Sequence, residues 1–105
     1  MTLQNLKDAL TAKVGSCVWD LAAPSGTTRG VIIHTYGAEG VLGDNTTQLT
    51  VPRVQLDLLW QDPSDTILDD VEGVLRDAFQ AFVVDDIAYD DDYACMRAIL
   101  QLELV

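Results

Sequence analysis

His34 is the only histidine of the chain, so any dyad or triad that relays a proton through imidazole must run through it. It lies in Gly30–Tyr36, a β-branched and aromatic run with Val31, Ile32 and Ile33 in succession, where a hydrogen-bonded strand histidine is a simpler reading than a general base. Ser16, Ser25 and Ser64 lack the strained Gly-x-Ser-x-Gly setting that exposes a nucleophile, so nucleophilic catalysis has no residue set to carry it. Asp85, Asp86, Asp90, Asp91 and Asp92 offer oxygen ligands for a hard cation, but without the alternating spacing, central glycine and distal glutamate of a calcium loop they read as a solvated acidic turn. One histidine and the distant Cys17 and Cys95 make no nitrogen and sulfur ligand set. Gly37-x-x-Gly40-x-x-Gly43 is not the dinucleotide pattern, and no helix follows it to receive a phosphate. Asn45-Thr46-Thr47 matches the glycosylation tripeptide, an accidental match without an export signal. No catalytic, cofactor-binding or metal-binding residue is assigned, and no cofactor is expected. That points to assembly and away from catalysis.

The elements that would position such residues are clearest in the second half. Val54, Leu56, Leu58 and Trp60 alternate with Arg53, Gln55, Asp57 and Gln61, which predicts a strand with one buried face and Leu59 as its violation. Asp62 stands where an N-cap belongs and Pro63 where a first helical residue belongs. Ile67, Leu68, Val71, Val74, Leu75, Ala78, Phe79 and Phe82 then recur at spacings of three and four, with charged residues opposite. The expectation is a helix packed on a sheet through Val71, Leu75, Phe79 and Phe82. After the acidic punctuation at Asp85-Asp86 and Asp90-Asp91-Asp92, Met96, Ala98, Leu100, Leu102 and Leu104 alternate with Arg97, Gln101 and Glu103 in another strand, Ile99 excepted.

In the first half, Leu3, Leu6, Leu10 and Val14 share a helix face and Gly15 is a natural stop. Cys17–Leu21 reads as a short strand and Gly30–Tyr36 as a longer one. Gly37–Thr47, with its three glycines, reads as a long mobile loop at the tip of a hairpin. The fold class expected is α+β: a mixed, largely antiparallel sheet of four to five strands with two helices on one face. Val51–Gln61 and Cys95–Val105 are expected as long outer strands, leaving an edge for a neighbour to pair.

At 105 residues the chain is one domain, residues 1–105, able to bury about two-thirds of its unfolded surface. Hydrophobic residues make up 49%, too many and too well patterned for disorder. Seventeen acids against six bases give a formal charge of −11, which repels phosphates and anionic lipids; neither stable nucleic-acid binding nor a membrane partner is expected. No basic leader precedes an apolar run and no segment reaches the roughly 20 apolar residues of a membrane span, so a soluble cytoplasmic protein is expected. The two cysteines are most simply reduced and partly buried, and a bridge between them stays open.

Arg53-Val54-Gln55-Leu56-Asp57-Leu58-Leu59-Trp60-Gln61-Asp62 running into an amphipathic helix, together with the order of elements along nearly the whole chain, resembles the small phage tail-completion or tail-terminator proteins. The resemblance implies a structural virion protein, made in the host cytoplasm and then held in the virion tail. Such proteins assemble as a ring, commonly a hexamer, that caps the tail tube, stops its polymerisation and meets the head connector; the implied partners are further copies, the tube protein and the connector. No catalytic residue is carried over. An acidic lumen would let DNA pass without holding it. Two other classes compete: an acidic binding or inhibitor module, such as a DNA mimic or immunity-like protein, using the same charge against a basic partner, and a small enzyme, for which no convergent polar site can be named.

Overall fold

The computed structural model describes residues 1–40 and 50–104. Along the chain run α1 (Leu3–Val14), β1 (Val18–Asp20), β2 (Arg29–Gly40), β3 (Thr50–Trp60), α2 (Ile67–Asp77), β4 (Phe82–Asp90) and β5 (Cys95–Glu103). The strands form one sheet in the order β1-β2-β3-β5-β4. The β1–β2 pair is parallel and the other pairs are antiparallel. The α+β expectation holds, with five strands and two helices. α1 begins and ends as its residues dictate: Thr2 Oγ1 accepts from the Asn5 amide at 3.0 Å, and Gly15, at φ +90°, donates to Thr11 O.

Each face of the sheet carries its own core. On one face Leu6 and Leu10 of α1 and Ile67, Val71 and Leu75 of α2 pack on Val31, Ile33, Leu56, Leu58 and Leu100. On the other, Ile32, Leu59 and Cys95 are buried beneath Ala23 and Tyr93. Leu59, which breaks the alternation of its strand, is therefore no exposed defect but the centre of the smaller core, under loops instead of a helix. Tyr93 ties those loops together: its hydroxyl donates to Ala23 O at 3.1 Å and accepts from Ala23 N at 3.2 Å.

Several expectations are corrected. The second helix does not start at Pro63. Asp62 Oδ1 takes the amide and hydroxyl of Ser64, at 2.9 and 2.8 Å, which closes a turn over Asp62–Asp65, and the helix begins at Ile67, whose amide is held by Asp65 Oδ1 at 3.0 Å. It ends at Asp77. Phe79 takes the left-handed conformation, φ +56°, while Phe79 N donates to Arg76 O and Gln80 N to Leu75 O, the paired bonds of a Schellman stop. Phe79 thus points into solvent, 91% exposed, and Phe82 belongs to β4, half-buried against the main core. Asp85 and Asp86 lie inside β4 and not in a turn, with a register shift between Val84 and Asp86. Gly37–Gly40 extend β2; the remainder of the expected loop, through Gly43 and Asn45-Thr46-Thr47, falls outside the described residues. The strands expected at the edges, β3 and β5, are interior, and the edges are β1 and β4.

Candidate functional site

The helices leave one face of the sheet to loops and polar side chains, and the sole histidine lies there. The register that pairs Ile32 with Asp57 and His34 with Gln55 puts these side chains on the face opposite Val31 and Ile33. Asp57, its side chain 11% exposed, receives His34 Nε2 at 3.2 Å on one oxygen and Gln55 Nε2 at 2.7 Å on the other. Both oxygens of a buried carboxylate are thus satisfied, one by His34 on the adjacent β2 and the other by Gln55 two residues away on β3 itself, which is what burying it requires. No hydroxyl or thiol is bonded to either His34 or Asp57 among the described residues.

The acidic positions separate into two environments. Asp90 is committed: one oxygen caps the following turn through the amides of Asp92 and Tyr93, at 2.8 and 3.1 Å, and the other takes Arg97 Nη1 at 2.9 Å. Asp91 and Asp92 face solvent, and Asp85 accepts from Gln101 Nε2 at 3.3 Å. The described residues contain no group of three or more His, Cys, Asp or Glu that could hold a metal ion. Asp62, holding Ser64, has its carboxyl below the ordinary carboxylate value because the Ser64 backbone and then its hydroxyl bond the ionised form.

Both cysteines are free thiols. Cys95 is buried in the smaller core, and burial, followed by the charge of nearby Asp90, pushes its thiol above the ordinary value. Cys17 is half-buried at the margin of the main core, its Sγ 3.2 Å from Val14 O and within 3.6 Å of Arg29 Nη1. Ser16 and Ser25 lie on the surface. Trp19 covers Gly30, and Trp60 packs partly buried against the main core.

The surface feature that sequence patterning misses is the exposed apolar flank of β4. Val83, Ile87 and Tyr89 are 63%, 52% and 59% exposed, and Phe79 stands just before them. Phe82 and Val84 are apolar at even positions, Ile87 and Tyr89 at odd ones, and all four face the helix side because the register shifts once between Val84 and Asp86. A bulge inserts one residue and resets the phase. The signal was present as two short apolar alternations offset by one, with acids at the offset.

No protein-family model matches the chain and no curated protein matches it. Among solved structures, a chain described as "Virion of native gene transfer agent (GTA) particle" is similar over 96% of this chain and 92% of its own, with a TM-score of 0.57 and 15% sequence identity. At that identity the likeness is one of fold, and it spans nearly the whole chain.

Proposed function

We propose that this protein is a structural component of a phage-like virion, acting as a tail terminator or tail-completion protein: a ring of identical subunits that caps the tail tube and joins it to the head. One observation carries the reading. The whole domain shares its fold with a chain of a gene transfer agent virion, and the element order carries the same resemblance to tail-completion proteins. The protein then has no catalytic role, works in the virion, and has as partners its own copies, the tube protein and the head connector.

The test is functional complementation. Purified tails lacking their terminator, mixed with this protein, should gain a ring at the head-proximal end in electron micrographs and regain the ability to join heads. A chain that neither binds such tails nor restores joining, and that stays monomeric, is instead an acidic inhibitor or binding module.

A further inference from the structure

Two edges of the sheet are open among the described residues. At one end no strand lies beyond β4. At the other, β1 pairs only with Val31, Ile32 and Ile33, so residues 34–40 of β2 have β3 on one side and no described strand on the other.

The hydrogen bonds show which backbone groups face outward. Val31 N donates to Cys17 O at 2.9 Å and Ile33 O accepts from Leu21 N at 3.0 Å, so the groups of these two residues point away from β3, and alternation places those of Thr35 with them. Carried across the register from Val31 to Leu58, from Leu58 to Ala98 and from Ala98 to Ile87, the same alternation turns the backbone groups of Ile87 outward from β4, with those of Val84 and Tyr89.

The bulge and the acids Asp85 and Asp86 are devices that discourage strand addition. A fully protected edge would not also be flanked by Val83, Ile87 and Tyr89, all more than half exposed. Two like edges would meet poorly: β4 against a second β4 sets Asp85 and Asp86 against their own copies. The open part of β2 carries one acid in sequence, Glu39 near its end, and none at His34 or Thr35 at its start, against the adjacent pair Asp85-Asp86 of β4. β2 and β4 also run in opposite directions, three antiparallel pairings apart. A copy rotated about an axis along the strands therefore brings its β4 antiparallel to this β2.

We infer that the outer edge of β4 pairs with the open edge of β2, residues 34–40, in a second copy of this chain. The contact is head to tail, so each subunit uses one edge for each neighbour, and repetition about an axis gives the proposed ring where the rotation closes. This inference rests on the proposed self-assembling virion role and adds the contact that would build it.

The test uses two proline variants, each removing one outward donor and no bond of the internal ladder: Ile87→Pro in β4 and Thr35→Pro in β2. Circular dichroism and thermal unfolding check that both fold. Where wild type assembles, each variant alone should run as a monomer of 11.5 kDa in light scattering. Mixed in equal amounts they should form a one-to-one dimer that grows no further, because one supplies an intact β2 edge and the other an intact β4 edge. Dimers of Thr35→Pro alone would mean that β4 pairs with itself, overturning the inference. Rings from both folded variants would place the contact elsewhere and leave the virion role standing. Wild type that assembles neither alone nor on tails removes both the role and the contact. Should proline prevent folding, Ile87→Lys with Tyr89→Lys on the exposed flank of β4 replaces it: monomers support the inference, rings reject it.

Discussion

Leu75 and Phe79 are one helical turn apart in sequence, yet Leu75 is fully buried and Phe79 is 91% exposed. Leu75→Ala should lower unfolding free energy by about 2–5 kcal/mol in a denaturant titration, the range for emptying a core leucine site. Phe79→Gly should do the reverse, raising it by about 0.5–1 kcal/mol, because glycine adopts the left-handed stop without a Cβ penalty and no packed ring is lost. A loss of more than about 1 kcal/mol at Phe79 would mean the ring is covered. At the cysteines, a colourimetric thiol assay at neutral pH should titrate Cys17 first and Cys95 only on unfolding, since Cys95 is 1% exposed and its thiol is held protonated. The sign follows from that raised folded value. The stability it contributes is complete below the ordinary thiol value of 9.0 and is lost as pH rises through the folded value. Alkaline titration of Cys95→Ala should therefore show a shallower fall of stability with pH than wild type.

At the scale of elements, β1 depends on a glycine in the neighbouring strand. A Cβ at Gly30, where φ is +157°, would overlap the Trp19 ring and come within 2.7 Å of Cys17 O, the atom that bonds Val31 N. Gly30→Ala should thus push β1 from the sheet at a cost of about 1–3 kcal/mol, read together with a change in tryptophan emission; unchanged emission and stability would mean that the ring swings aside freely. The loop cover of the smaller core depends on Tyr93. Tyr93→Phe removes both bonds to Ala23 and should cost about 1 kcal/mol, with faster amide exchange confined to residues 21–28 and 91–94. Exchange spread evenly over the sheet would assign Tyr93 a global role instead. Arg76, its guanidinium carbon 5.7 Å from the centroid of Phe82, contributes at the join of α2 and β4 on the order of 0.5–1 kcal/mol.

For the whole molecule, charge would set the conditions of the proposed assembly. Subunits of −11 repel one another, and the repulsion is screened over about 8 Å at physiological ionic strength. Assembly should strengthen with added salt, so mass by light scattering should rise between about 20 and 500 mM salt at fixed protein concentration. A mass that falls with salt would mean attraction between opposite charges dominates the contact. By the same charge, duplex DNA should show no micromolar binding at about 150 mM salt, measured by fluorescence anisotropy.

Features that depend on local order are legible in the chain itself. The α1 span, with Thr2 ahead of it and Gly15 behind, and the alternation of β3 and β5 read directly, because periodicity and caps are properties of neighbouring residues. Features that depend on distant partners emerge only when the chain folds. Leu59 looks misplaced until Ile32, Cys95 and Tyr93, far along the chain, close over it. Which way β4 faces is hidden because its bulge breaks the period, and its place at the edge follows only from β5 inserting between it and β3. The acids read as one turn are divided between a strand and a cap because Asp90 meets Arg97 across the β4–β5 pair. Which strands are interior is a fact of pairing and not of composition, and pairing decides where a neighbour can add.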